Sequence, residues 1–174
     1  PLPAHLAATA PLDPALVRRL LRQARPVIDS RRIVSDRRGS PDGTRLLFGG
    51  QVGIHHRDPR HLARRLRQNL VRVFPELARV RVSHAWSGNI ALSFDRIPHI
   101  GVHEGIHYAL AMCGAGVPMG THLGRKIALR LMGSPEGATA YDDLRFPTRP
   151  LYTGRPWFAG PIAGWASLLD RLDG

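Results

Sequence analysis

Residues 106–120 read IHYALAMCGAGVPMG, and this stretch decides how the fold is interpreted. Its first seven residues, Ile106 to Met112, are typical of a strand. A glycine-rich segment follows immediately, and an apolar pattern with helical spacing comes after it. The apolar residues of that pattern are Leu123, Ile127, Ala128, Leu131 and Met132. Gly133, which follows them, can end the helix. The stretch therefore predicts a strand, a glycine loop and a helix in succession.

The glycine loop can be interpreted in two ways. Backbone N–H groups of such a turn can approach a ligand closely, and the helix N-terminus adds roughly half a positive charge, which suits an anion or a polarised carbonyl. The alternative is a tight turn needed only to pack the helix against the strand. The spacing does not predict the start of a dinucleotide-binding fold, because no further strand–helix alternation follows.

The flanks of this stretch have different patterns. Upstream, apolar and polar residues alternate from residue 80 to residue 86, which predicts a half-buried strand. Three further apolar positions extend the alternation beyond Gly88: Ile90, Leu92 and Phe94. Downstream of Gly133, repeated prolines and aromatic residues predict an extended arm, and a short helix is expected near residues 162–172.

The N-terminal half predicts two helices and a hairpin. The pairs Asp13-Pro14 and Asp58-Pro59 each predict a helix start, because Asp is a good N-cap and proline fits the first helical position. Between them, strand-like residues 27–34 and the apolar residues 46–48 flank a turn cluster at 39–43. That arrangement predicts a hairpin.

Charge is concentrated in the first half of the chain. The formal net charge is +12, and residues 1–80 hold 16 basic and 6 acidic side chains. Such an excess keeps open an alternative function, a basic nucleic-acid-binding module. Residues 1–80 nevertheless contain only two aromatic residues, Phe48 and Phe74, whereas nucleic-acid modules usually interleave basic residues with stacking aromatics. The sequence therefore does not favour a nucleic-acid partner.

Composition also bears on location and metal binding. The single cysteine, Cys113, excludes an internal disulfide and favours a reducing, cytoplasmic compartment. No apolar run reaches the roughly 18 residues of a membrane span, so no membrane association is predicted. The histidines at 99, 103 and 107 recur every four residues, but Pro98 and two glycines argue against a helix there. No metal site is predicted.

Several motifs taken together resemble the C-terminal part of an FAD-dependent oxidoreductase of the D-amino-acid oxidase superfamily. The branch that the chain most resembles includes the gamma-glutamylputrescine oxidoreductases. The resemblance covers nearly the whole chain and depends on the order and spacing of its motifs. The segments that carry it are residues 43–50 (GTRLLFGG), 74–77 (FPEL), 86–88 (WSG), 95–101 (DRIPHIG), 113–116 (CGAG) and 150–158 (PLYTGRPWF).

The resemblance implies that FAD is the cofactor and that the glycine loop faces the flavin ring. The implied cofactor-binding residues are Gly114, Ala115, Gly116, Val117, Pro118 and Met119. It implies an α+β fold, with a mixed or antiparallel substrate-domain sheet, peripheral helices, and a C-terminal strand–glycine loop–helix that belongs to an FAD-binding domain. The implied organisation is a substrate-binding portion at residues 1–104, a flavin-facing strand–loop–helix at 105–133, and an arm with a short helix at 134–174.

A partner half is also implied. Family members grip the FAD pyrophosphate with a Gly-x-Gly-x-x-Gly turn in their N-terminal half, and this sequence has no such turn. The chain, which begins at Pro1, is therefore expected to be one piece of a longer protein or a separate subunit. A partner carrying that turn, called here the flavin-binding half, would be supplied by the same gene or by a second subunit. Without it, apolar surface around residues 106–132 should be exposed, and a homodimer is a further possibility.

The implied reaction is oxidation of a carbon–nitrogen bond, with hydride transfer to FAD and hydrolysis of the resulting imine. The arginines that hold the substrate carboxylate in related amino-acid oxidases align with Ile90 and Gly114, which cannot pair with a carboxylate. The expected substrate is therefore a small amine, or an amino acid held differently. His84, Trp86 and Ile90 are the expected substrate-pocket residues. No catalytic base is assigned, and a non-catalytic subunit of a heteromeric oxidase remains an alternative.

Overall fold

The computed structural model describes residues 1–22, 25–50, 58–142, 144–154 and 156–172. These residues divide into two compact units. The sheet unit comprises Pro3–Asn89 with Trp157–Gly174, and the loop–helix unit comprises Pro1–Leu2 with Ile90–Pro156. The strands are β1 (Leu2–Thr9), β2 (Val27–Ile28), β3 (Ser35–Gly39), β4 (Leu46–Gly50), β5 (Val82–Ile90), β6 (His99–His103) and β7 (Ile106–Leu110). The α-helices are α1 (Pro14–Leu20), α2 (Pro59–Val73), α3 (Gly116–Leu131) and α4 (Ala159–Leu172).

Five strands form one sheet in the order β2-β3-β4-β1-β5. The pairs β2–β3, β3–β4 and β1–β4 are antiparallel. Strand β5 also runs antiparallel to β1, because Ala10 N donates to Arg81 O at 2.8 Å while His5, earlier in β1, meets Ser87, later in β5. With four helices beside antiparallel sheets, the described residues confirm the α+β class.

The predicted hairpin exists, but one of its arms was placed wrongly. Strand β3 begins at Ser35, and only Val27 and Ile28 of the predicted 27–34 strand are paired. The connecting turn has Gly43 at φ 70°, and Asp42 accepts the Thr44 amide at 3.1 Å. The arm was misplaced because β3 has the polar sequence SDRRG, whose strand character comes from pairing with β4.

Both predicted helix starts in the sheet unit are confirmed. The Asp13 carboxylate accepts the Ala15 amide at 2.7 Å, and Asp58 accepts the amides of Arg60 and His61. Side chains from both helices and the sheet form one buried apolar cluster. Its members are Ala7, Val17, Leu21, Leu46, Phe48, Leu62, Leu66, Leu70 and Leu77. The sheet unit therefore contains an apolar core.

Strand β5 forms one edge of the five-stranded sheet. It is continuous from Val82 to Ile90, but most of its residues are exposed, and Leu92 and Phe94 lie beyond its end. The predicted extension of the strand to Phe94 was therefore wrong. The predicted half-buried alternation was also wrong, because the half-buried residues of β5 are Val82, Ala85 and Ile90, which do not follow a period of two.

The loop–helix unit contains the hairpin β6–β7, in which His99 pairs with Leu110 and His103 with Ile106. Glu104 and Gly105 form its two-residue turn, and both have positive φ, as a type I′ turn requires. Strand β7 ends at Leu110, two residues before the predicted Met112, because Ala111 takes φ 59°. The expected helix is α3, which Gly133 follows at φ 72°.

The C-terminal arm contains the short 3-10 helix Pro135–Gly137, and none of its other described residues before α4 lies in a helix or strand. In the loop–helix unit, two of its aromatic residues contact rings from the preceding segment: Tyr152 against Phe94, and Phe146 against His99. The final helix, α4, belongs to the sheet unit and begins at Ala159. The Asp170 carboxylate accepts the amides of Arg32 and Ile33 at 3.0 and 3.1 Å, which ties α4 to the sheet unit.

Every helix in the described ranges is too short or too polar to pass through a bilayer.

Candidate functional site

The glycine loop has an unusual backbone conformation. Ala111, Cys113 and Gly114 have φ values of 59°, 51° and 95°. Positive φ costs roughly 1–2 kcal/mol for a residue other than glycine, so Ala111 and Cys113 are held there by their surroundings. Gly114 and Gly116 are exposed, and a Cβ placed on either would meet nothing within 4 Å. The loop therefore presents bare backbone with open space in front of it.

The first turn of α3 leaves hydrogen-bond donors available. Its N-cap is Ala115, whose side chain cannot accept a hydrogen bond, and the first intrahelical bond runs from Met119 N to Ala115 O at 3.0 Å. Helix geometry leaves the amides of Gly116 and Val117 without an intrahelical acceptor, and Pro118 has no amide hydrogen. No acidic residue lies in this turn. The site suits an anion or a carbonyl that gains negative charge.

The Cys113 thiol is engaged within the loop. It is half-buried, and its Sγ lies 2.9 Å from Ala111 O, to which it donates. The Cys113 amide donates to Ala91 O at 3.2 Å. These contacts help to hold the loop in its positive-φ conformation, which argues for a structural role of the cysteine.

Apolar side chains on β7 and at the two ends of α3 are exposed, as the sequence predicts. Ile106 is 69% exposed, Val117 85%, Leu131 65% and Met132 72%. Exposed apolar side chains at both ends of α3 and on β7 offer apolar surface to a partner.

The predicted pocket residues His84, Trp86 and Ile90 all lie on β5. His84 is exposed and its Nδ1 lies 2.9 Å from Ser83 Oγ. Trp86 is 42% exposed and Ile90 is half-buried. Their assignment to a substrate pocket stays a prediction. His84 and Trp86 lie in the sheet unit, whereas the glycine loop lies in the loop–helix unit.

Sequence analysis missed one polar pair next to these residues. His5 on β1 is buried, and its Nδ1 lies 2.7 Å from Ser87 Oγ on β5. The signal was absent because β1 is rich in alanine and shows no strong strand pattern. Ser87 thus has a defined partner in the sheet.

The histidines of the 99–107 series do not share a helix face, because they lie on the hairpin strands β6 and β7. His99 is buried, and its Nε2 lies 3.1 Å from an Asp95 carboxylate oxygen. Among the described residues, no group of three or more His, Cys, Asp or Glu side chains is arranged to hold a metal ion.

Comparisons with known proteins agree with the fold. A family model described as FAD dependent oxidoreductase matches residues 1–130. The chain is 38% identical over 133 residues to gamma-glutamylputrescine oxidoreductase of Escherichia coli. The aligned region covers 74% of this chain and 30% of that protein. It is 28% identical over 156 residues to "Probable oxidoreductase OrdL" of Haemophilus influenzae, covering 89% of this chain and 35% of that protein.

A solved structure shows the same fold. The crystal structure of L-proline dehydrogenase from P. horikoshii matches with a TM-score of 0.60 at 18% identity, over 82% of this chain and 37% of that one. The chain thus spans about a third of the length of the proteins it matches. Because the family model covers most of the sequence, the chain belongs to the D-amino-acid oxidase family of oxidoreductases, whose cofactor is FAD.

Proposed function

We propose that this chain is the flavin-covering and substrate-binding portion of an enzyme that oxidises a carbon–nitrogen bond in an amine or amino-acid-like substrate. The observation that carries the proposal is the uncapped N-terminus of α3, reached through a loop with three positive φ values. The family supplies the cofactor class, and the name of the Escherichia coli relative suggests an amine substrate.

The glycine loop fits a flavin ring. Bare backbone at Gly114 and Gly116 allows a flat ring to approach, and no carboxylate in the first turn of α3 would repel its carbonyl oxygens. FAD, when bound, would supply the two-electron oxidant, accepting the hydride that leaves the carbon next to the nitrogen as the carbon–nitrogen bond becomes an imine. The amides of Gly116 and Val117 would donate hydrogen bonds to its polar edge, and the dipole of α3 would stabilise negative charge there. Residues 114–119 together form this proposed contact.

The exposed apolar residues on β7 and α3 are proposed to contact the flavin-binding half. The matched relatives are about three times as long as the matched region, so a family member contains a further portion that could cover this surface. Each Å² of apolar surface that association removes from water contributes about 25 cal/mol to the binding free energy. Ile106 and Met132 are the proposed anchors, because both are large and mostly exposed.

The proposed substrate is an amine that lacks a tightly held carboxylate. The family resemblance aligns Ile90 and Gly114 with the carboxylate-binding arginines of amino-acid oxidases, and neither residue can form a bidentate ion pair. His84, Trp86 and Ile90 are the proposed pocket residues, since all three lie on β5 and Trp86 offers a partly exposed apolar ring. Apolar and aromatic contacts of this kind suit an amine.

The test is flavin retention after mixing the chain with the flavin-binding half of a homologous oxidoreductase, followed by a screen of amines for flavin bleaching. The flavin absorbance should travel with both chains through gel filtration, and amines should bleach it. Ala115→Asp would place a carboxylate against the Val117 amide, and it should abolish flavin retention by the complex. Thr121→Asp adds the same charge farther along α3 and should retain flavin. If the wild-type mixture holds no flavin while the chain is folded, the proposal is wrong.

A further inference from the structure

The loop that precedes β6 lies against the glycine loop. Ala91 O accepts the Cys113 amide at 3.2 Å, and Ser93 Oγ lies 3.6 Å from Cys113 Sγ. Ser93 is 8% exposed, so its hydroxyl is buried beside the thiol. These two contacts join residues twenty-two and twenty positions apart at the point where the backbone takes its positive-φ conformation.

The Ser93 hydroxyl is itself held by its own loop. It accepts the Ile97 amide at 3.1 Å, and it can donate to Ile97 O at 2.9 Å. A serine hydroxyl has one hydrogen, and so does the thiol, which donates to Ala111 O. Two hydrogens therefore serve four contacts, one of them between Ser93 and the Asp95 carboxylate, and the Ser93–Cys113 contact forms in exchange for one of the others.

Asp95 fixes the same loop from its other side. Its carboxylate accepts the Ile97 amide at 3.1 Å and meets His99 Nε2 at 3.1 Å. His99 is 1% exposed and packs edge-on against Phe146 at 4.9 Å. The pKa of the Asp95 carboxyl lies below its usual value. The hydrogen bond from the Ser93 hydroxyl lowers it most, and the Ile97 amide and His99 lower it further, whereas desolvation raises it. The carboxylate is thus anionic at neutral pH.

We propose that Ser93 and Asp95 are positioning residues for the glycine loop: they hold Cys113 in its conformation and thereby aim the amides of Gly116 and Val117. Neither residue would touch the flavin. The inference rests on the proposed function, because the direction of these amides affects activity only if they bind a flavin. The link from Ser93 to Cys113 does not need flavin and can be tested in the chain alone.

Cys113 makes that test direct, since it is the only cysteine in the sequence. We expect Ser93→Ala and Asp95→Ala to raise its rate of labelling by a thiol reagent roughly fivefold, as the loss of one buried hydrogen bond allows. Ser93→Thr keeps the hydroxyl and should stay near the wild-type rate. Ser134→Ala is the matched control, because that serine caps a short 3-10 helix (Pro135–Gly137) elsewhere in the same unit. Equal labelling of the wild type, Ser93→Ala and Asp95→Ala would overturn the proposal.

The second readout is the midpoint potential of flavin in the complex with the flavin-binding half. Misdirected amides stabilise the reduced ring less, so Ser93→Ala should lower the potential while Ser134→Ala leaves it unchanged. Faster labelling with an unchanged potential would overturn the positioning role and leave only a structural one. If the wild-type complex binds no flavin, the proposed function fails, whereas the labelling rates still judge the Ser93–Cys113 link independently.

Discussion

The two units of this chain are stabilised in different ways. Among its described residues, the sheet unit buries nine apolar residues in one cluster, and its helices α1 and α2 begin at aspartate caps. In the loop–helix unit, α3 begins at an uncapped alanine, and apolar side chains on α3 and β7 are exposed. The first arrangement is typical of a self-contained core. The second is typical of a surface that meets another molecule, which is where a functional site is expected.

The largest expected difference concerns core packing. Leu66 is 1% exposed, so Leu66→Ala should lower the free energy of unfolding by about 2–5 kcal/mol. Leu131 is 65% exposed, and Leu131→Ala should cost less than about 0.5 kcal/mol. Urea denaturation followed by tryptophan fluorescence measures both. A similar loss of unfolding free energy at the two positions would show that the exposed side chains of α3 are packed, and the proposed difference in packing between the two units would be wrong.

The next effect concerns association. Met132→Lys or Ile106→Lys should weaken binding to the flavin-binding half by about tenfold or more, because a charge would enter an apolar contact. Gln68→Lys is the control, since it adds the same charge to an exposed position on α2 in the sheet unit. Titration calorimetry gives the dissociation constants. Loss of binding by the Gln68 variant alone would move the interface to the sheet unit.

Helix caps provide a smaller and opposite pair of effects. Asp58→Ala removes two accepted amide hydrogen bonds and should destabilise the chain by about 1 kcal/mol. Ala115→Asp supplies the cap that α3 lacks and should stabilise the chain alone by up to about 1 kcal/mol. Thermal unfolding of the two variants shows the signs. A destabilising Ala115→Asp would mean that the first turn of α3 is already satisfied.

The smallest effect is a pH dependence. The Ser40 hydroxyl, followed by the Thr44 amide and hydroxyl, lowers the pKa of Asp42 from 3.8 to about 2. A carboxyl with a lowered folded-state pKa stabilises the protein above its unfolded value, and that contribution is lost as the pH falls from about 4 to about 2. Asp42→Asn should therefore be less stable than the wild type at pH 6, and the difference should shrink towards pH 2. A constant difference across urea titrations in this range would contradict the assignment.

The sequence predicted those elements whose signals are local. The aspartate–proline pairs marked α1 and α2 because a cap and its proline lie side by side, and the glycine-rich stretch marked the loop before α3. Strand β3 was missed because its arginines are polar. Arg37 is nevertheless buried, and its guanidinium nitrogen lies 3.6 Å from a carboxylate oxygen of Asp29. Only tertiary context creates that ion pair.

The candidate site divides in the same way. The exposed glycine loop followed from its composition, whereas the Ser93–Cys113 contact could not, because it joins residues twenty positions apart through backbone geometry. The strand placement of His84 and Trp86 followed from alternation, but their exposure did not. What packs on each face of a strand is not encoded in the pattern of that strand alone.

The most direct test of the central claim is hydrogen exchange of the amides in residues 114–117. The chain should be measured with the flavin-binding half in its FAD-loaded form and in its FAD-free form. We predict that exchange at Gly116 and Val117 slows by tenfold or more only when FAD is present, because the flavin accepts their hydrogen bonds. Equal exchange with and without FAD would contradict the claim that this loop contacts the flavin.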